Sequence, residues 1–227
     1  GTLGVTERAT IANMCVETGA LSAIFPSDAV TRRYFRAQGR EDEWREVAAG
    51  FDADYDEEIG GDLAAIQPMI ARPHLPDNVV PVAEEAGRKV DQVAIGSCTN
   101  SSLEDMLKVA AILKGRRVPP GVSLVISPGS RQVLIELMER GALADMVRAG
   151  ARVLETACGP CFGMGQAPVS AGASLRTFNR NFQGRCGTAD AEVYLASPET
   201  AAASAVVGAI ADPRTLGKPV SVSLPEH

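Results

Sequence analysis

Three cysteines are the first candidates for a chemical role in this sequence, because a thiolate can bind a metal or act as a nucleophile. Cys158 and Cys161 form a Cys-Gly-Pro-Cys pair, and glycine and proline keep such a loop out of regular structure. Cys98 lies far upstream and, like the pair, follows an apolar run. Three thiols brought to one place suit an iron–sulfur cluster, which Cys thiolates hold. Three ligands instead of four would leave one iron open for chemistry.

The spacing alone leaves two other interpretations open. A lone CxxC pair is common in redox proteins and in structural zinc sites. Zinc sites usually add a second cysteine pair or histidines, yet His74 and His227 are the only histidines of the sequence. A thioredoxin-like redox pair would give Cys98 no role. The residue types therefore indicate a thiol site without deciding between a cluster, a zinc-binding structural module and a redox pair.

Five segments between residues 7 and 185 carry a specific combination of residues. They are residues 7–20, 25–28, 96–101, 155–161 and 179–185. In order and content they resemble the signature motifs of the aconitase family, which includes aconitate hydratases, homoaconitases and the large subunit of isopropylmalate isomerase. The resemblance implies an aconitase-type hydro-lyase whose 4Fe-4S cluster is held by Cys98, Cys158 and Cys161, with one open iron.

The resemblance also implies roles for polar residues. Asn13 and Asn179 would hydrogen-bond near the cluster, and Glu17 would act in the active site beside the substrate and the iron-bound water. Arg180 and Arg185 would bind carboxylates of a small polycarboxylate substrate, a task that suits the planar, permanently charged guanidinium. Spacing alone favours solvated surface residues for Asn13 and Glu17, and it also favours solvated or surface ion-paired side chains for the two arginines.

Short apolar runs alternate with helical patterns in the second half of the chain. Strands are predicted at residues 90–95, 122–126, 152–154, 173–178 and 193–196, and helices at 102–114, 130–140 and 198–210. Such alternation predicts an α/β fold with a parallel-rich sheet and helices on both faces. Ser101 and Glu104 have the spacing of a capping box for the first of these helices.

The candidate residues of this half follow the predicted strands closely. Cys98 comes after the first strand, Cys158 after the third, and Asn179 with Arg180 after the fourth. In open parallel sheets, ligands bind at the carboxyl ends of the strands. The strand pattern therefore predicts that sequence-distant thiols and arginines meet at one edge.

The first part of the chain is less regular. A helix is predicted at residues 6–17 with Thr6 as its N-cap, which would put Asn13 and Glu17 on one face. A short buried strand is expected at 21–25, and a helix capped by Ser27 or Asp28 is expected to follow. We expect residues 1–85 to be the remainder of a preceding α/β domain, 86–211 the cluster domain, and 212–227 the start of a linker.

Composition excludes several classes of protein. A net charge of −6 argues against a nonspecific nucleic-acid binder. No apolar run approaches the ~20 residues of a membrane span, and five cysteines do not form a disulfide framework. A cytoplasmic protein is predicted.

The absence of an initiator methionine suggests an excised part of a larger enzyme. Missing N- and C-terminal domains would then supply the catalytic base, and this chain alone would be inactive. The motif at residues 181–188 and the linker-like tail favour a bacterial, single-chain aconitate hydratase, which interconverts citrate and isocitrate through cis-aconitate. Isopropylmalate isomerase or homoaconitase is the alternative.

Overall fold

The structure is a computed structural model that describes residues 3–224. The described chain divides into two compact units, one containing residues 3–67 with Leu224 and the other residues 68–223. None of the helices described within residues 3–224 has the length and hydrophobicity that crossing a bilayer would require.

The first unit contains two α-helices, α1 (Val5–Met14) and α2 (Ala29–Ala37). The predicted N-cap of α1 is wrong, because the helix begins earlier and the Gly4 N–H donates to Glu7 Oε2 at 2.6 Å. For α2 the prediction is confirmed, since Asp28 accepts hydrogen bonds from the N–H groups of Val30 and Thr31. Arg8 also pairs with Asp28, Nη2 to Oδ2 at 2.8 Å, and this pairing holds the pKa of the Asp28 carboxyl well below its usual range.

The predicted strand at residues 21–25 is wrong. This segment is irregular, and Leu21 and Ile24 are 103% and 85% exposed. An apolar run becomes a strand only where a neighbouring strand accepts its backbone hydrogen bonds, and the described residues give this segment no such neighbour beyond the single bridge between Ser27 and Val47.

The second unit is built on a sheet to which seven strands contribute within residues 68–223. They are β1 (Met69–Ala71), β2 (Val79–Pro81), β3 (Gln92–Gly96), β4 (Ser123–Ser127), β5 (Arg152–Val153), β6 (Ala173–Arg176) and β7 (Glu192–Ala196). Their order is β2-β1-β7-β6-β3-β4-β5. The run from β7 to β5 is parallel, whereas β1 pairs antiparallel with both β2 and β7. The predicted α/β class is confirmed, and β1 and β2 were not predicted.

Five α-helices accompany the sheet. They are α3 (Val82–Glu85), α4 (Leu103–Leu113), α5 (Arg131–Glu139), α6 (Ala142–Ala149) and α7 (Pro198–Val207). They pack with alternate strand residues such as Val93, Ile95 and Ile126 in the main hydrophobic core. The sequence missed α6, which begins immediately after Gly141 interrupts the helical pattern with a φ of 71°.

The start of α4 corrects a second predicted cap. Ser102, not Ser101, is the N-cap, and it accepts a hydrogen bond from the Asp105 N–H at 3.2 Å. The Asp105 carboxylate accepts from the Ser102 N–H at 3.0 Å and completes the capping box. Ser101 instead donates its hydroxyl to the Ser97 carbonyl.

The other face of the sheet carries a smaller cluster. Ala94 and Val125, which are direct neighbours in the β3–β4 register, pack with Phe178. Leu154 and Cys161 lie against this cluster. The irregular segment between β5 and β6, which contains the Cys-Gly-Pro-Cys pair, therefore packs on this face.

Candidate functional site

The strand order places a crevice next to β3. After β3 the chain proceeds outward through β4 and β5, and it then crosses back to place β6 and β7 on the other side of β3. Such a reversal of strand order leaves an opening at the carboxyl ends of the two central strands, where ligands bind in open α/β sheets. Cys98 follows β3 and Arg180 follows β6, so both lie at this opening.

The turn that carries Cys98 has a constrained backbone. Gly96 has a φ of 152°, and a Cβ there would collide with the Ser127 carbonyl oxygen. Ser97 has a φ of 112°, a region that non-glycine residues rarely adopt and that is often found at functional sites. The Ser97 hydroxyl oxygen accepts a hydrogen bond from the Asn100 N–H at 3.1 Å. The turn leaves Cys98 exposed.

Asn100 and Asn179 tie the two sides of the crevice together. Asn100 Nδ2 donates to the Thr177 carbonyl at 2.6 Å and to Asn179 Oδ1 at 2.7 Å. Asn179 Nδ2 donates in turn to Thr99 Oγ1 at 2.9 Å. The segment after β6 is thereby fixed beside the Cys98 turn. Asn179 was a predicted site residue, whereas the bridging role of Asn100 was missed.

The second pair of thiols lies on a tight turn. Residues Gly159–Phe162 form a 3-10 turn in which the Cys161 N–H donates to the Cys158 carbonyl at 3.0 Å. Cys158 is exposed and Cys161 is half-buried. The turn ends at Gly163, whose φ is 84° and which lies directly against the backbone of Cys186.

Burial and neighbouring charges shift the pKa of the Cys98 thiol. Partial burial of the sulfur is the main cause that raises the pKa of Cys98, and the neighbouring thiols of Cys158 and Cys161 raise it further. Arg180 opposes the shift and lowers the pKa. The topology agrees with this influence, since Cys98 and Arg180 follow the neighbouring strands β3 and β6, and Cys161 packs on the face of the sheet that carries Ala94 of β3.

Arg185 reaches one of these thiols. Its Nη2 donates to Cys161 Sγ at 3.5 Å, and its guanidinium lies over the Phe162 ring at 4.9 Å from the ring centre. Its buried Nε has no hydrogen-bond partner within the structure. A buried donor of this kind is expected to find a partner in the functional protein. Together with the thiols, it fits a site for an anionic group.

The donor set fits a cluster better than a single ion. Within residues 3–224, no three His, Cys, Asp or Glu side chains are arranged to hold one metal ion. A cubane places a different demand on its ligands, because each thiolate binds a different iron and the sulfurs need not converge on one point. The three thiols, which lie on two separate turns, suit a ligand set of this kind.

Asn13 and Glu17 belong to the first unit. The predicted continuous helix is wrong here, since α1 ends at Met14 and Glu17 lies in a 3-10 turn, Cys15–Thr18, that Gly19 ends with a φ of 80°. Asn13 is half-buried and Glu17 is exposed. Their roles stay predictions.

A buried polar network beneath the Cys158–Cys161 turn was missed altogether. Gln92, Ser174 and Arg176 lie on the face of the sheet that the turn covers, and all three are buried. Polar residues at every second position inside apolar strands are the signal that could have revealed them.

Comparisons with known proteins identify the family of the chain. The model of the aconitase family (aconitate hydratase) matches residues 1–88 and 85–208. The 3-isopropylmalate dehydratase large subunit 2 of Archaeoglobus fulgidus is 49% identical over 211 residues, which are 92% of this chain and 51% of that protein. Large subunit 1 of the same enzyme from Thermotoga maritima is 44% identical over 215 residues, or 93% of this chain and 51% of that protein.

The 3-isopropylmalate dehydratase large subunit of Nitratidesulfovibrio vulgaris is 43% identical over 215 residues, which are 94% of this chain and 51% of that protein. The chain thus spans about half the length of the curated relatives it matches. Dehydratases of the aconitase family carry a 4Fe-4S cluster. On its sequence and on its α/β fold, the chain belongs to the aconitase family.

Proposed function

We propose that this chain is the cluster-binding part of the large subunit of a 3-isopropylmalate dehydratase. The observation that carries the cluster assignment is that the Cys98 turn follows β3 at the carboxyl edge of the sheet, while Cys161 of the other turn packs against the cluster that contains Ala94 of β3. The substrate assignment rests on the relatives, which are named as 3-isopropylmalate dehydratase large subunits. This substrate assignment replaces the preference for citrate that the sequence motifs suggested. The relatives lend no support to citrate as the substrate.

Each thiol has a defined place in this proposal. Cys98, Cys158 and Cys161 would hold the 4Fe-4S cluster, which supplies a Lewis-acidic iron that polarises a substrate hydroxyl. The Asn100–Asn179 tie fixes the turn that carries Cys98. Packing of Cys161 against the Phe178 cluster limits the freedom of the other turn.

The arginines would hold the substrate. A hydroxy-dicarboxylic acid brings two negative charges, and arginine binds a carboxylate through two parallel hydrogen bonds. Arg180 and Arg185, both half-buried near the thiols, would orient the carboxylates and neutralise their charge. Water leaves the hydroxy-acid and is added back at the neighbouring carbon, with no net redox change.

Groups outside the second unit would complete the site. Glu17 is our candidate for an acidic catalytic group and Asn13 for a hydrogen-bond donor near the cluster. The chain spans about half of its relatives, and their name "large subunit" indicates a second subunit as partner. We therefore expect this chain alone to be inactive and the assembled protein to turn over.

Anaerobic reconstitution of the full-length protein with iron and sulfide tests the cluster assignment. We expect about four irons per chain and visible charge-transfer absorption in the wild type. Both are lost in Cys98→Ser and kept in Cys15→Ser, a control thiol of the first unit. Stoichiometric zinc without visible absorption would identify a structural zinc site instead. A redox pair would tolerate Cys98→Ser without loss of activity.

The substrate is tested with the reconstituted protein and its complementary subunit. We expect hydration and dehydration activity with isopropylmalate and little with citrate. A preference for citrate would refute the substrate assignment while leaving the cluster assignment intact.

A further inference from the structure

Among the described residues 3–224, Arg176 is the largest fully buried side chain, with 0% of its surface exposed. It is the last residue of β6 and lies on the face of the sheet that the Cys158–Cys161 turn covers. Its Nη1 donates to the Pro160 carbonyl at 2.6 Å, and its Nη2 donates to the Gln166 carbonyl at 2.7 Å. One guanidinium thus holds the segment that carries two of the three thiols at two points.

Neighbouring polar residues fix the guanidinium in this orientation. Nε donates to Ser174 Oγ at 2.9 Å, and Nη2 also donates to Gln92 Oε1 at 2.6 Å. Gln92 Nε2 donates to the Ala167 carbonyl at 3.1 Å, which adds a third point of attachment for the segment. The guanidinium carbon Cζ of Arg176 lies over the Phe178 ring, 5.4 Å from the ring centre.

The charge of Arg176 has no carboxylate to balance it. Among residues 3–224, no Asp or Glu lies within ion-pair distance of its guanidinium, which bonds only to carbonyl, amide and hydroxyl oxygens. Burial lowers the pKa of Arg176, while the thiols of Cys186 and Cys161 oppose that shift. Arginine stays protonated even when buried, and burying a charge is costly unless an opposite charge compensates it.

We propose that Arg176 is a positioning residue for the cluster: it anchors the Cys158–Cys161 turn from beneath and supplies a fixed positive charge behind the iron-bound thiolates. This inference rests on the proposed function. Three thiolates give the bound cluster unit negative charge, and the buried guanidinium is the compensating cation on the protein side. The role differs from that of Arg180 and Arg185, because Arg176 is buried and cannot reach the substrate.

Three variants of the full-length protein separate the two parts of this role. Arg176→Gln removes the charge and most of the hydrogen bonds, whereas Arg176→Lys keeps the charge but not the planar fork that bridges two carbonyls. Arg116→Gln is the matched control, since Arg116 also donates to two backbone carbonyls, those of Ile112 and Leu216, and is not among the charges that shift the pKa of Cys98 or Cys186.

The first readout is the reduction potential of the reconstituted cluster. Removal of a nearby positive charge disfavours the reduced, more negative state. We therefore expect a more negative potential in Arg176→Gln, a potential near that of the wild type in Arg176→Lys, and none of this shift in Arg116→Gln. If Arg176 had a purely structural role, the reduction potential would not depend on the charge of the residue at position 176.

The second readout is amide hydrogen exchange in the cluster-free protein. The Cys161 and Met164 N–H groups donate to carbonyls within the turn at 3.0 and 2.9 Å. Because the loss of a buried hydrogen bond destabilises the local structure, we expect about tenfold faster exchange of these amides in both Arg176 variants. Arg116→Gln should leave the exchange of these amides unchanged.

The outcomes separate the inference from the proposed function. An Arg176→Gln variant with the exchange and the potential of the wild type would overturn the inference. Faster exchange with an unchanged potential would overturn its electrostatic part. A wild-type protein that takes up no cluster would refute the proposed function and the electrostatic part together, and the exchange data would still decide whether Arg176 anchors the turn.

Discussion

Replacing Gly163 by alanine tests how tightly the thiol-bearing turn is held. Gly163 has a φ of 84° and follows Cys161 by two residues. A Cβ at this position would overlap the Cys186 carbonyl oxygen and lie 2.6 Å from the carbonyl carbon. Both atoms belong to the backbone, so no side-chain rotation relieves the overlap. Either the turn or the segment around Cys186 must move.

The expected destabilisation has two parts. A left-handed conformation costs an alanine about 1–2 kcal/mol relative to glycine. Forcing an extra carbon into a packed site costs about 1–3 kcal/mol more. The free energy of unfolding should therefore fall by roughly 2–5 kcal/mol in Gly163→Ala.

Gly165→Ala is the matched control. Gly165 lies in the same segment with a φ of 70°, and a Cβ there would meet no atom within 4 Å. The Gly165→Ala variant therefore loses only the cost of the left-handed backbone conformation, about 1–2 kcal/mol. The difference between the two variants isolates the close approach of Gly163 to Cys186.

Urea-induced unfolding gives the free energies, and iron analysis after anaerobic reconstitution gives the occupancy of the site. We expect Gly163→Ala to lose both stability and iron and Gly165→Ala to keep about four irons per chain. Equal stability and equal iron content in the two variants would refute this account of the turn.

Two further predictions concern the rest of the fold. Ser102→Ala should lower the free energy of unfolding by about 1 kcal/mol because it removes the N-cap of α4. Glu104→Ala should change this free energy by less than about 0.5 kcal/mol. The reverse ranking of the two variants in urea unfolding would contradict the cap assignment. Burial, aided by the charge of Glu192, raises the pKa of Tyr194 to about 12. The fold then favours the neutral phenol, so its contribution to stability is complete below the unfolded-state pKa of about 10 and is lost as the pH rises towards 12. Spectrophotometric titration should show a late tyrosine transition that Tyr194→Phe removes, and a normal transition for all tyrosines would rule this out.

The parallel strands were predictable because each is a short apolar run with its own boundaries. Periodicity and turn residues are local signals, and they located β3, β4, β6 and β7 to within a few residues. The strands β1 and β2 were missed because β1 depends on pairing with β7, a partner more than a hundred residues away, and β2 pairs in turn with β1. The opposite error at residues 21–25 has the same origin, since an apolar run without a partner strand stays irregular.

The cap of α4 shows how a local signal can be ambiguous. Ser101 with Glu104 and Ser102 with Asp105 both have the spacing of a capping box. The structure uses the second pair, because the first serine is occupied by the turn after β3. There its hydroxyl donates to the Ser97 carbonyl, and its carbonyl accepts from the Gly129 N–H at 3.3 Å.

The thiol pattern, the family and the position of the motifs at residues 96–101, 155–161 and 179–185 after strands could all be read from the sequence. Which strands become neighbours was decided only by the tertiary structure, and so were the Asn100–Asn179 tie and the place of Arg176 beneath the Cys158–Cys161 turn. The physical reason is that the register between β3 and β6 sets which side chains share a face. That register depends on burial and backbone pairing between segments far apart in the chain, which no local pattern encodes.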